Sequence, residues 1–295
     1  MNSARALRLV PPDRISDHVK LAAFGQQRLN PSFASSDWRD DLAEEARLKL
    51  LEGAFVERER AAVAPLLADL PSGTNAFVAW YETLKDHGPG QNDPLFPWLA
   101  ERATRDQMRW FLEQEAAGEA GFDDLVALTQ VKLPRRAKLE LARNYWDEMG
   151  RGNEKGMHGP MLDRLVGALE LAPSRQTTVW QSLALGNLMT ALACTRRYAF
   201  QSVGALGAIE MTAPDRSLFV ARGLKRLGVP AAERHYFELH AVLDRKHSAA
   251  WNREALHSLV EAEPATARPL AEGALMRLAA GVRCFERYRA EFDLD

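Results

Sequence analysis

The sequence predicts an all-α protein, and two observations carry that prediction. Apolar residues recur at helical spacing in nearly every segment from Asp41 onward. Alternating period-two stretches are missing, and clusters of Val, Ile and Thr bounded by turns are almost absent. No segment repeats at a solenoid period, so a single domain is expected.

Taken in order, residues 1–40 mix polar residues with Pro and Ser and read as an extended N-terminal arm. The rest, 41–295, reads as one all-α domain. Leu42, Ala46, Leu50 and Ala54 open a helix that should run to Pro71. Phe77, Trp80 and Leu84 form one stripe over Asn75–Lys85, which ends at Gly88-Pro89-Gly90. Residues 86–96 read as the clearest loop. Helical patterns follow at 104–129, 134–149, 160–171, 175–211, 215–227, 230–250, 251–263 and 268–292. Gly228 with Pro230, and Pro214 with Asp215 as a candidate N-cap, supply stop and start signals.

Composition removes several function classes. The 295 residues carry 38 Lys and Arg against 40 Asp and Glu, a net charge of −2. That balance gives no electrostatic footprint for nucleic acid or an anionic membrane. No stretch approaches the roughly 18 apolar residues of a membrane span. Met1 to Arg14 has no long apolar region, so no signal peptide is expected. Cys194 and Cys284 stand far apart in apolar helical contexts, which suits buried thiols and a reducing cytoplasm.

The chemistry concentrates in His240-Ala-Val-Leu-Asp244-Arg-Lys-His247. On a helix, His240, Asp244 and His247 fall within about 60° of one another. Phe237, Leu243 and Trp251 lie on or beside that stripe, so it should face inward. Random placement of the seven His and 40 acidic residues would give His-x3-acid-x2-His only about 0.02 times. The competing reading is a solvated charged face, with Arg245 and Lys246 beside it. Buried, the three groups cost several kcal/mol unless they pair or ligate something. Their axial span of about 10.5 Å exceeds the reach of one ion and suits two metals about 3.5–4 Å apart.

Other segments must then supply carboxylates. Glu115 and Glu119 share the stripe of Phe111, Phe122 and Val126, amid small Ala and Gly neighbours. Glu148 and His158 would lie about 15 Å apart on a continuous helix. Gly150, Gly152 and Gly156 make an unwound stretch that could bring them together. Glu210 is a lone acid in the small-residue segment Gly204–Pro214, costly to bury without a partner. Gly204-x-x-Gly207 is no phosphate loop, because no strand precedes it and no Lys-Ser/Thr follows. Arg196 and Arg197 are candidates to reach a substrate carboxylate, although solvated arginines are the commoner case.

The order Glu148…His158, Glu210, His240-x3-Asp244-x2-His247 resembles the ligand order of the heme-oxygenase-like di-iron oxidases and oxygenases, the iron-containing redox enzymes. The resemblance covers about residues 100–290. It implies a heme-oxygenase-like helical bundle, here with an N-terminal helical extension, and two non-heme Fe(II) ions per chain with O2 as co-substrate. It would assign iron ligation to Glu148, His158, Glu210, His240, Asp244 and His247. The ten-residue step from Glu148 to His158 is similar to that of members that N-oxygenate amines, which recruit an additional glutamate. Glu119 or Glu115 would supply it. The implied activity is N-oxygenation of an amine or amino acid, with oxidative C–C cleavage or decarboxylation of a small acid as the alternative. A metal-free all-α binding protein is the reading from another class. A small-molecule substrate is expected, with an external reductant and a second copy of the chain, as a homodimer, as candidate partners.

Overall fold

Backbone hydrogen bonds close within helices almost everywhere in the structure, a computed structural model that describes residues 15–118 and 121–294. No strand is present among them; a single Met149–Met157 bridge is the only sheet-like pairing. The helices are α1 (Ile15–Leu29), α2 (Trp38–Val63), α3 (Thr74–His87), α4 (Leu95–Glu101), α5 (Arg105–Gly118), α6 (Phe122–Thr129) and α7 (Arg135–Glu148). They continue as α8 (His158–Ala168), α9 (Trp180–Cys194), α10 (Ala199–Arg226), α11 (Ala231–Ala250), α12 (His257–Ala262) and α13 (Ala267–Glu291).

The N-terminal arm needs correction. Residues 15–29 form helix α1 rather than extended chain, and bury His18, Leu21 and Phe24. His18 stacks on Trp180 at 5.7 Å, and Gly25 admits Thr190 so closely that a Cβ would meet it at 3.3 Å. These residues pack α1 against α9. Residues 1–14 lie outside the described residues.

Three further departures have local causes. Helix α4 arises within the Pro/Gly-rich stretch because Leu95, Phe96 and Leu99 bury against α10. Gly121, at φ +71°, separates α5 from α6 where one helix was expected. Thr195, extended at φ −111° and ψ 106°, breaks the expected 175–211 helix, and α10 instead runs straight through Pro214. Proline removes the N–H that would bond the Glu210 carbonyl; burial against α4, α9, α11 and α13 sustains the helix regardless. Asp215 is therefore no N-cap. It lies inside α10 and accepts from Arg245 Nη2 at 2.6 Å.

Helix α10 is the axis of the bundle. A Cβ on Gly204 would stand 1.9 Å from the Leu270 carbonyl oxygen, and one on Gly273 1.8 Å from that of Gln201. The backbones of α10 and α13 thus touch through paired glycines. Twelve residues beyond Gly204, the Arg216 guanidinium lies 4.8 Å above the Phe285 ring, so the two helices run in the same direction. Gly207 makes room for Trp251, whose Nε1 donates to the Val203 carbonyl at 3.2 Å. Trp251 opens a π-helical turn, Trp251–Leu256, that joins α11 to α12. Two apolar clusters result, one around α3, α7, α9, α10 and α13 and one joining α4, α5 and α8 to the far end of α13. Between them lies the cavity described next.

Candidate metal centre

Helix α7 ends on Glu148 and α8 begins on His158. The chain between them folds back on itself, with Gly150, Arg151 and Gly152 all at positive φ. A Cβ at Gly150 would stand 2.4 Å from the Gly156 carbonyl carbon, so only glycine allows so tight a return. The Met149–Met157 bridge closes the loop. His158 Nδ1 consequently lies 2.7 Å from Glu148 Oε2, with both residues buried.

Helices α10 and α11 bring the remaining groups. Ligand-capable atoms of Glu148, His158 and His240 lie within 4.8 Å of one another, and so do those of Glu148, Glu210 and His247. Glu148 belongs to both groups. Asp244 is buried at 3 % exposure on the same cavity wall, its Oδ1 3.9 Å from His247 Nδ1. Six of the seven residues singled out in the sequence are thereby gathered. The seventh, Glu119, lies outside the described residues. Its alternative, Glu115, lines the cavity but joins neither group; its Oε1 accepts from Tyr288 Oη at 2.8 Å.

Two residues that the sequence did not single out complete the centre. Asn144, one turn before Glu148, donates from Nδ2 to Glu210 Oε1 at 2.5 Å and contacts His247 Nδ1 at 3.2 Å. Asp147 Oδ2 lies 3.0 Å from His247 Nε2, and its Oδ1 accepts from Arg151 Nε at 2.6 Å. The available signal was the i, i+4 pair Asn144 and Glu148 on a face shared with Ala137 and Leu141. His240 Nδ1 donates to the Tyr236 carbonyl at 2.7 Å, which leaves Nε2 for the cavity.

The electrostatics follow from packing several ionisable groups into apolar surroundings. Burial, then the charges of Glu210 and Glu148, push the Asp244 carboxyl far above the carboxylate range. Burial lowers His240 to about 4. Burial opposes charge on His247 too, but the hydrogen bond and charge of Glu210, then the bond to Asp147, raise it to about 9. Asp147 is held low against its own burial by Arg151 and His247.

Whether this set suits a metal is answered by its buried polar atoms. Asp244 Oδ1 is buried without a hydrogen-bond partner, and His158 Nδ1 and Glu210 Oε2 face only another candidate ligand, Glu148 Oε2 at 2.7 Å and His247 Nδ1 at 3.4 Å. Such atoms are costly in a protein interior unless a cation satisfies them. Imidazole with carboxylate is also the donor set of non-heme iron. The residues fit.

The cavity beside the centre has a volume of about 190 Å³. Glu148, Glu210, His240 and Asp244 form one end of its wall, and Phe96, Phe285 and Tyr288 lie on the rest. Arg196 and Arg197 do not reach it: Arg196 donates to the carbonyls of Leu128, Thr129 and Val131, and Arg197 to Glu57. No helix among the described residues is long and apolar enough to cross a membrane.

Comparison with known proteins finds the same helical fold and an iron-containing family. A family profile described as "iron-containing redox enzyme" matches residues 109–282, more than half of the chain. Two crystal structures of a CADD-like protein of unknown function from Nostoc punctiforme share the fold at 18 % identity. They have TM-scores of 0.57 and 0.53, cover 74 % of this chain, and are themselves covered to 97 % and 95 %. No curated protein matches the sequence.

Proposed function

Since the chain belongs to the iron-containing redox enzymes and adopts their heme-oxygenase-like bundle, we propose that it is a non-heme di-iron oxygenase that uses O2 to oxidise a small molecule. N-oxygenation of an amine or amino acid is the reaction put forward. The observation that carries this reading is the pair of ligand groups sharing Glu148.

Glu148, His158 and His240 would hold one iron, and Glu148, Glu210 and His247 the other, with the buried Asp244 carboxyl as a further donor on the same cavity wall. Bound iron would supply the electrons and open coordination positions that O2 reduction needs. The chain's own residues set the conditions for it. Asn144 fixes the Glu210 carboxylate, and Asp147 fixes the His247 ring with Nδ1 turned inward. The Tyr236 carbonyl sets the tautomer of His240. Apolar walls from Phe96, Phe111 and Phe285 line the rest of the cavity and would exclude water from the body of a bound substrate.

Anaerobic Fe(II) titration tests the reading, followed by O2 exposure and mass analysis of products from a panel of amines and amino acids. Two irons per chain and a product heavier by oxygen support it. Saturation at one iron refutes the dinuclear centre, and loss of a carbon fragment refutes N-oxygenation in favour of C–C cleavage.

A further inference from the structure

Helix α7 turns Ala137, Leu141, Asn144 and Glu148 inward. On its opposite side Arg135, Leu139, Arg143 and Trp146 are exposed and fall within about 80° of one another, with Arg136 and Lys138 flanking them. Leu139 and Trp146 are 59 % and 53 % exposed. Gly152 of the return loop braces Trp146, since a Cβ there would stand 3.0 Å from the indole ring. Aromatic side chains and arginines held in this way are the usual anchors of protein interfaces.

The charge along this stretch is one-sided. Residues 131–155 carry seven Lys and Arg against four Asp and Glu, in a chain whose net charge is −2. Of the four acids, Glu140 and Glu148 are buried, Asp147 is taken by His247 and Arg151, and Glu154 is exposed. Lys132, Arg135, Lys138 and Lys155 are all exposed. Beside α7, Glu254 is held by Arg136 and Arg253, and Glu261 of α12 also acts on Arg136. The same face backs directly onto the metal centre. Asp147 follows Trp146, and its Oδ2 lies 3.0 Å from His247 Nε2. One residue and one hydrogen bond therefore join the exposed indole to a candidate ligand ring, and electron transfer favours so short a connection.

We propose that the exposed face of α7 is the docking site of an acidic one-electron carrier protein, which returns electrons to the centre past Trp146 and Asp147. The electron delivery rests on the function proposed above; the docking of an acidic protein does not. Oxidation of an amine to a hydroxylamine consumes one O2, two electrons and two protons and releases one water. Two reduced carriers supply the electrons in turn and leave oxidised, and solvent supplies the protons. A second copy of the chain fits this face less well, because two-fold pairing would set its basic residues against their own copies. The helix face from Arg135 to Trp146 is also only about 16 Å long and about 10 Å wide. Permanent interfaces bury about 2,000 Å² or more, whereas weak redox encounters bury less than about 1,200 Å².

Calorimetric titration of the full-length protein, metal-free and Fe(II)-loaded, with an acidic [2Fe–2S] ferredoxin tests the face. A basic c-type cytochrome and a short duplex DNA are the comparison probes. The ferredoxin should bind, more weakly as salt rises, and the cytochrome should not. Arg135→Glu with Lys138→Glu should weaken the ferredoxin at least about 10-fold, and Trp146→Ala by a similar factor. Lys225→Glu, about 22 Å along α10 from Glu210, should bind like the parent. Should Trp146→Ala fail to fold, the charge variants, which are exposed and away from the return loop, carry the test. In anaerobic stopped flow, reduced ferredoxin should re-reduce the O2-oxidised protein more slowly in the variants by the same order, while dithionite reduces all of them alike. Ferredoxin bound no better than cytochrome, duplex DNA bound more tightly than ferredoxin, variants that bind and are reduced like the parent, or a dimer that Trp146→Ala dissociates would each overturn the docking face. Iron is counted in the same samples. A chain that binds ferredoxin through these residues without taking up iron refutes the proposed oxygenase and leaves the docking face standing; iron uptake with ferredoxin binding indifferent to them does the reverse.

Discussion

His247 is held from both sides: its Nε2 lies 3.0 Å from Asp147 Oδ2, and its Nδ1 3.4 Å from Glu210 Oε2. The outer carboxylate decides which ring nitrogen turns toward the centre and how basic it is. Asp147→Asn should lower affinity for the ion at Glu210 and His247 about 10- to 100-fold while preserving helical content. Competitive metal titration beside circular dichroism measures this. Unchanged affinity would remove Asp147 from the centre.

Glu148 differs from the other candidate ligands because both groups contain it. Glu148→Ala should abolish binding of both ions, whereas His158→Ala and Glu210→Ala should each leave one. Asp244→Ala should stop iron-dependent O2 consumption without unfolding the chain. Metal analysis and an oxygen electrode read these outcomes. Two ions retained by Glu148→Ala would show that the residue is not shared.

The metal-free protein should lose stability as pH rises above neutrality. Folding raises Asp244 and lifts His247 to about 9, so both hold protons that the unfolded chain releases near about 4 and about 6.5. Their stabilisation is complete below those unfolded values and fades as pH climbs toward the folded ones. His240, lowered to about 4, acts oppositely: it stays neutral in the fold while the unfolded chain gains a proton below about 6.5. Between pH about 4 and about 6.5 Asp244 and His240 oppose one another, so melting temperature should stay nearly level there and fall between pH about 6.5 and about 9, where Asp244 and His247 act together. Iron displaces these protons, so loading should abolish the alkaline decline. Differential scanning fluorimetry of metal-free and loaded protein is the measurement, and identical profiles would count against ligation.

Glycine contacts yield a contrast in stability. Gly204→Ala should destabilise the fold by about 3 kcal/mol, because its new methyl meets the Leu270 carbonyl oxygen, which cannot turn aside. Gly53→Ala, inside α2 with open space around it, should stabilise by about 0.5–1 kcal/mol. Denaturant titration of both variants separates them, and equal effects would mean the α10–α13 contact yields easily.

Where local pattern and tertiary packing agree, the sequence was readable. Helices α7, α11 and α13 lie within a residue or two of their expected bounds, because each turns residues at helical spacing to the interior. The His240, Asp244 and His247 stripe faces inward for the same reason. Helix α1 was missed although seven of its fifteen residues are apolar, because the Pro- and Ser-containing residues on either side of it read as one arm with it. Pro214 misled because a helix buried on several sides can tolerate one lost hydrogen bond. Asn144 left only its i, i+4 spacing from Glu148, and Asp147 and the cavity-lining Arg216 and Arg277 left no trace in pattern, since each owes its place to residues 60 or more positions away, such as Glu210, His247, Gly90 or Glu115. Adjacent Arg196 and Arg197 looked more suggestive and are absorbed by loop carbonyls and Glu57.

The touching glycines of α10 and α13 act as a fulcrum. Backbone rests on backbone at Gly204 and Gly273, so neither helix can move closer there, and the remaining freedom between them is angular. Arg216 sits at the end of an arm about 18 Å long from that point. A tilt of about 5° would carry its guanidinium about 1.6 Å, while Glu210, halfway along, would move about half as far. The reach of the cavity is in this sense an angle, set by the bulk of whatever side chains stand beyond the two glycines.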